Sequence, residues 1–189
     1  AYGRQRIPGR IDPDLTWSII SAVAATFTAS ANTQTQSLSS ASVGDLTILT
    51  ATGRGANNTS PVFSDPGGWT ALGATVRHGP SGGTTRPYVA LRSWSRVIDG
   101  TESDPSVTRT YTGSRGDWGL SLTILRPDAG DTPTITNVWD DTTGASEVTF
   151  YEPPAMTVAA CSLLLQFVIG QADVAGAAAE RRQVVVRGL

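Results

Sequence analysis

The run MTVAACSLLLQFVIG, residues 156–170, is the longest nearly uninterrupted apolar stretch of the chain, and its reading decides the fold. Taken with period two, Ala159, Cys161, Leu163, Leu165, Phe167 and Ile169 share one face without a polar residue. Val158, Ala160, Ser162, Leu164, Gln166 and Val168 form a mixed opposite face. That pattern predicts a central strand of a packed sheet, with one face in the core and the other half-covered. A buried helix would have the same apolar content, and periodicity alone does not separate the two. Pro153-Pro154 cuts the run off sharply, and it falls short of the roughly 20 apolar residues that a membrane-spanning helix needs. The strand reading is preferred because the neighbouring segments also read as strands.

Working outward, Leu15 to Ala29 alternates, with Trp17, Ile19, Ser21, Val23, Ala25 and Phe27 on one face and a break near Ser21. Ala31 to Ser42 is polar and anchored only by Leu38, which suits a loop or an edge strand. A turn at Gly44-Asp45 leads into a strand with Leu46 and Ile48 inward, then a loop over Thr52 to Ser60 whose Asn57-Asn58-Thr59-Ser60 holds formal glycosylation acceptors. Asp65-Pro66-Gly67-Gly68 predicts a tight turn, Trp69 to Val76 a strand, and His78 to Thr85 a hairpin loop. Further strands are expected at Tyr88 to Ile98, Val107 to Tyr111 and Trp118 to Leu125, the last with Trp118, Leu120, Leu122 and Ile124 on one side. A loop over Arg126 to Pro133 follows, then strands Ile135 to Trp139 and Glu147 to Tyr151 around a turn at Asp140 to Gly144. Ala-rich Ala172 to Arg182 suggests two or three helical turns, and Gln183 to Arg187 a closing strand. About eight to ten short strands at this spacing predict an all-β fold, an antiparallel β-sandwich of jelly-roll or immunoglobulin-like type, over residues 15–189.

Ala1 to Asp14, with Arg4, Arg6 and Arg10 among two Gly and two Pro, has no core pattern and reads as an extended N-terminal arm. Its arginines are suited to pairing with carboxylates on a partner surface. The 189 residues fit one domain with an arm, and 39% hydrophobic residues with a net charge of −2 suit a globular protein. All 14 basic residues are Arg. A near-neutral balance speaks against a general nucleic-acid binder, and the sequence points to no membrane association. No signal-like segment opens the chain, so synthesis in a reducing cytoplasm is the expectation. The single Cys161 rules out an intramolecular disulfide and reads as a small core hydrophobe.

Catalytic chemistry finds little to work with. One His and one Cys stand far apart, His78 lies in a Gly/Pro/Ser loop, and no G-x-S-x-G, P-loop or dinucleotide motif occurs. Zinc would need more His or Cys. Carboxylates at Asp99, Glu102 and Asp104, at Asp128 and Asp131, and at Asp140 and Asp141 read as turn residues rather than calcium ligands. The expectation is a chain with no cofactor, no metal and no enzymatic activity. Trp17, Trp94 and Trp118 read as core. Trp69 and Trp139 beside turns are the candidates for an exposed glycan-stacking platform.

Gly44-Asp45-Leu46-Thr47-Ile48-Leu49, Pro66-Gly67-Gly68-Trp69, the strand Tyr88 to Trp94, Asp99-Gly100-Thr101-Glu102 and Val107-Thr108 follow one another in an order that resembles a family of β-sandwich virion proteins of tailed bacteriophages. The likeness covers roughly residues 20 to 170. It implies a non-enzymatic structural protein, a capsid decoration or minor tail component, carried on the virion. Its implied partners are major capsid or tail proteins, with a homo-oligomer, such as a trimer, as the assembly. A glycan-binding host-attachment module is the rival expectation. The family offers no catalytic residues to carry over, and the short ending after Gly170 departs from its longer C-terminal halves.

Overall fold

The computed structural model of the protein describes residues 17–28, 31–55, 61–78, 89–110, 116–127, 133–142, 162–173 and 176–188. The described residues form twelve β-strands and no helix. These are β1 (Trp17–Val23), β2 (Thr33–Thr35), β3 (Leu46–Arg54), β4 (Val62–Phe63), β5 (Thr70–Ala71) and β6 (Val76–His78), then β7 (Val89–Val97), β8 (Ser106–Thr110), β9 (Trp118–Pro127), β10 (Pro133–Thr142), β11 (Ser162–Asp173) and β12 (Gly176–Gly188). A six-stranded antiparallel sheet runs β1-β9-β3-β7-β5, with β6 also on β7. Two three-stranded sheets run β2-β8-β4 and β10-β12-β11.

The centre of the molecule is the trio β9-β3-β7. Register places Leu49 opposite both Trp94 and Leu122, and Ala51 opposite Leu120. Residues directly opposite one another share a face, so one face of the trio gathers Leu49, Ala51, Ala90, Trp94, Trp118, Leu120, Leu122 and Ile124. Phe63 of β4 and Val107 of β8 join this cluster, and Ile20, Leu38 and Ala41 pack at its margin. The small sheet β2-β8-β4 therefore closes over that face. The opposite face carries Leu46, Ile48, Leu72 and Leu125, with Trp17 and Ile135 against them, and a separate pair, Val89 and Leu91. β10 and β12 lie against β6, and β11 against β7.

Both faces of β3 are covered, so its residues Leu46 to Ala51 are all buried. The hydroxyls among them are paired: Thr47 Oγ1 donates to the Arg96 carbonyl (2.8 Å), and Thr50 and Ser93 hydroxyls meet at 3.1 Å. A strand buried on both faces loses the alternation that single-faced strands show.

Several expectations are corrected. The run 156–170 supplies β11 from Ser162 onward, but β11 is the edge of its sheet and β12 is the middle strand. The described residues of Ala172 to Arg182 are strand and not helix; Ala172 lies in β11 and Gly176 onward in β12, paired from Asp173↔Gly176 to Ser162↔Arg187. Pairing with a long apolar strand overrides alanine's helix preference. Asp140 to Thr142 continue β10 instead of turning, because they are held opposite Arg182 to Glu180. Thr52 to Arg54 extend β3, and Arg126, Pro127 and Pro133 are strand residues rather than loop. Trp69 to Val76 splits into β5 and the start of β6.

β1 breaks near Ser21 as expected, by a register shift between Ile19 and Ser21. The extra residue, Ile20, turns to the core while Ile19, Val23 and Phe27 stay exposed. A bulge reverses the facing of everything beyond it, so the single inward face predicted for Leu15 to Ala29 does not form. The arm at Ala1 to Asp14, Met156 to Cys161, the acceptors at Asn57 to Ser60 and the strand at Glu147 to Tyr151 lie outside the described residues.

Candidate functional site

The short motifs seen in the sequence converge on Arg96, near the end of β7. Glu102 reaches back from the Asp99-Gly100-Thr101-Glu102 turn. Its Oε1 accepts from Arg96 Nε (2.8 Å) and from the Asp99 amide (2.9 Å), and its Oε2 from the Gly100 amide (2.9 Å). Asp99 Oδ1 accepts in turn from the Thr101 amide and hydroxyl. On its other side Arg96 Nη1 donates to the Gly68 carbonyl at 3.1 Å. Gly68 has φ +77°, and a Cβ there would run into Arg96 Nη1, so the Pro66-Gly67-Gly68-Trp69 turn needs glycine. Burial alone would raise the Glu102 pKa, but the Asp99 amide, its own amide, Arg96 and the Gly100 amide together lower it from 4.5 to about 2.

Two further carboxylates act as joints. Asp65 Oδ1 accepts from Trp94 Nε1 (2.6 Å) and from Arg92 Nε (2.9 Å), while Arg92 Nη1 donates to Thr75 Oγ1. The Arg92 guanidinium sits 5.5 Å from the Trp94 ring centre, within cation–π range. The Trp94 hydrogen bond is the main influence lowering the Asp65 pKa. Asp45, buried behind Gly44, accepts from Arg126 Nε and Nη2 at 2.8 Å each and from the Ser42 amide at 2.8 Å. Burial works to raise its pKa, and the Arg126 and Ser42 bonds outweigh it and lower it.

A third feature seals the outer edge of β9 where β1 no longer covers it. Thr28 and Trp118 exchange backbone hydrogen bonds there. Next to that bridge the Gln34 side chain donates to the Trp118 carbonyl (2.9 Å) and accepts from the Leu120 amide (3.2 Å), and Gln36 Nε2 donates to the Leu120 carbonyl. Two glutamine amides thus stand in for a missing strand. Trp118 Nε1 donates to the Ala31 carbonyl at 2.7 Å, and the buried Arg109 lies 5.5 Å from the Trp118 ring centre with Nη1 donating to the Gly116 carbonyl. The opposite face of the small sheet is uncharged. Thr33 faces Thr108, Thr35 faces Ser106, and Val62 is exposed opposite Thr110.

Of the residues singled out in the sequence, Trp69 is only 9% exposed and belongs to the main core cluster. The turn before it folds its ring inward, so it does not present the exposed platform expected of it. Trp139 falls in β10 opposite Gln183, in a different sheet from β5, the strand that follows Trp69. Trp94 and Trp118 are fully buried, as expected of core residues. His78, expected in a loop, is the last residue of β6 and pairs with Val89; the rest of the expected loop, residues 79–85, lies outside the described residues. Glu102 is 3% exposed at its side chain, whereas Asp104 accepts from the Leu38 amide. Asp99, Glu102 and Asp104 are thereby engaged in turns, and among the described residues no group of three His, Cys, Asp or Glu could hold a metal ion. Arg4, Arg6, Arg10, Cys161, Asp128 and Asp131 lie outside the described residues. Gln34 and Gln36 were overlooked in the sequence, although the T-Q-T-Q alternation puts both on one face of a strand.

Comparison with protein-family models, curated proteins and solved structures finds no match.

Proposed function

We propose that the chain is a non-enzymatic structural or accessory protein of a tailed-bacteriophage virion, acting through protein–protein contacts on the capsid or tail. The observation that carries this reading is the use made of the motifs behind the resemblance. Arg96, Asp99 and Glu102 spend their hydrogen bonds on one another and on backbone groups of adjoining turns, Asp45 on the Arg126 guanidinium and the Ser42 amide, and Asp65 on the Trp94 and Arg92 side chains. Groups that hold turns in place build a rigid carrier for surfaces, and turnover asks instead for groups aimed at an open cleft. In this reading the six-stranded sheet and β2-β8-β4 form an antiparallel sandwich of jelly-roll or immunoglobulin-like type. The segment 1–14 tethers it through Arg4, Arg6 and Arg10 to acidic patches on major capsid or tail subunits. The chain acts on the virion after synthesis in the host cytoplasm, as a homo-oligomer.

Mass spectrometry of purified particles with copy counting tests the placement. Hundreds of copies assign it to the head or tail tube, a handful to the tail tip, and none refutes the proposal. Deleting residues 1–14 should abolish loading while leaving the circular-dichroism spectrum unchanged; normal occupancy would refute the tether. The glycan-binding alternative loses its first anchor, because the Trp69 ring is committed to the core.

A further inference from the structure

We draw no further inference here: the strongest candidate, the exposed apolar side chains of Ile19, Val23 and Phe27 along the edge strand β1 and the segment that follows it, carries nothing because nothing in the structure shows what covers them.

Discussion

Replacing Glu102 with Gln tests whether the joint between the two turns stabilises the fold. The wild-type carboxylate accepts three hydrogen bonds, from Arg96 Nε and from the Asp99 and Gly100 amides, at 2.8 to 2.9 Å. Glutamine keeps one acceptor oxygen and loses the charge, so at least one amide or the guanidinium is left without its partner. Hydrogen bonds to a charged group contribute about 1.5–3 kcal/mol each, and breaking a buried pair from one side costs about 3–5 kcal/mol. Arg96 keeps contact with Asp99 Oδ2 at 3.5 Å and with the Gly68 carbonyl, which favours the lower end, about 2–3 kcal/mol at pH 7. The pH dependence has a definite sign. A carboxylate held at about 2 instead of 4.5 stabilises the fold fully above the higher value and loses that contribution as pH falls toward the lower one. Urea unfolding of both proteins at pH 7 and near pH 2.5 is the assay. The gap between them should be wide at pH 7 and mostly closed in acid. Equal stabilities at pH 7, or a gap that persists undiminished in acid, would refute the reasoning.

Other substitutions probe the remaining joints. Trp94→Phe keeps the ring in the core but removes the Nε1 bond to Asp65, and should cost about 1–2 kcal/mol in chemical denaturation. Trp69→Ala should destabilise by about 3–5 kcal/mol, as for a core aromatic, which a thermal melt would show as a large drop in Tm. Gln34→Ala combined with Gln36→Ala leaves the Trp118 and Leu120 backbone groups with fewer partners; a loss of about 2–3 kcal/mol is expected, with faster hydrogen exchange at the Leu120 amide.

What the sequence disclosed, and what it hid, follows from which residues carry their own signal. β3, β7 and β9 were legible because turn residues bracket them, Gly44-Asp45 before β3 and Asp99-Gly100 after β7, and because Trp118, Leu120, Leu122 and Ile124 alternate. The tight turn before Trp69 was equally plain, with the Trp69 amide donating to the Pro66 carbonyl at 3.2 Å. Which strand lies at the centre was not legible. Hydrophobicity is highest in the run that forms β11, yet β3, with Thr47, Thr50 and Thr52 among its residues, is the strand buried on both faces. Paired hydroxyls make such burial tolerable, and pairing is a property of the partner strand. The Ala-rich segment misled for a related reason: alanine's helix preference is intrinsic, whereas its register against β11 is tertiary. Trp69 misled because a turn places its neighbour on the surface in sequence terms while the chain bends that ring inward.

The glutamine seal along β9 has a mechanical consequence. By its backbone β2 belongs to the small sheet, through Thr33 to Thr35 on β8; by the amides of Gln34 and Gln36 it is stitched to the large one. Sliding one layer over the other would tear those stitches before any ladder opened. Three strands too short to persist alone are thereby made to melt together with the main sheet, as one cooperative body.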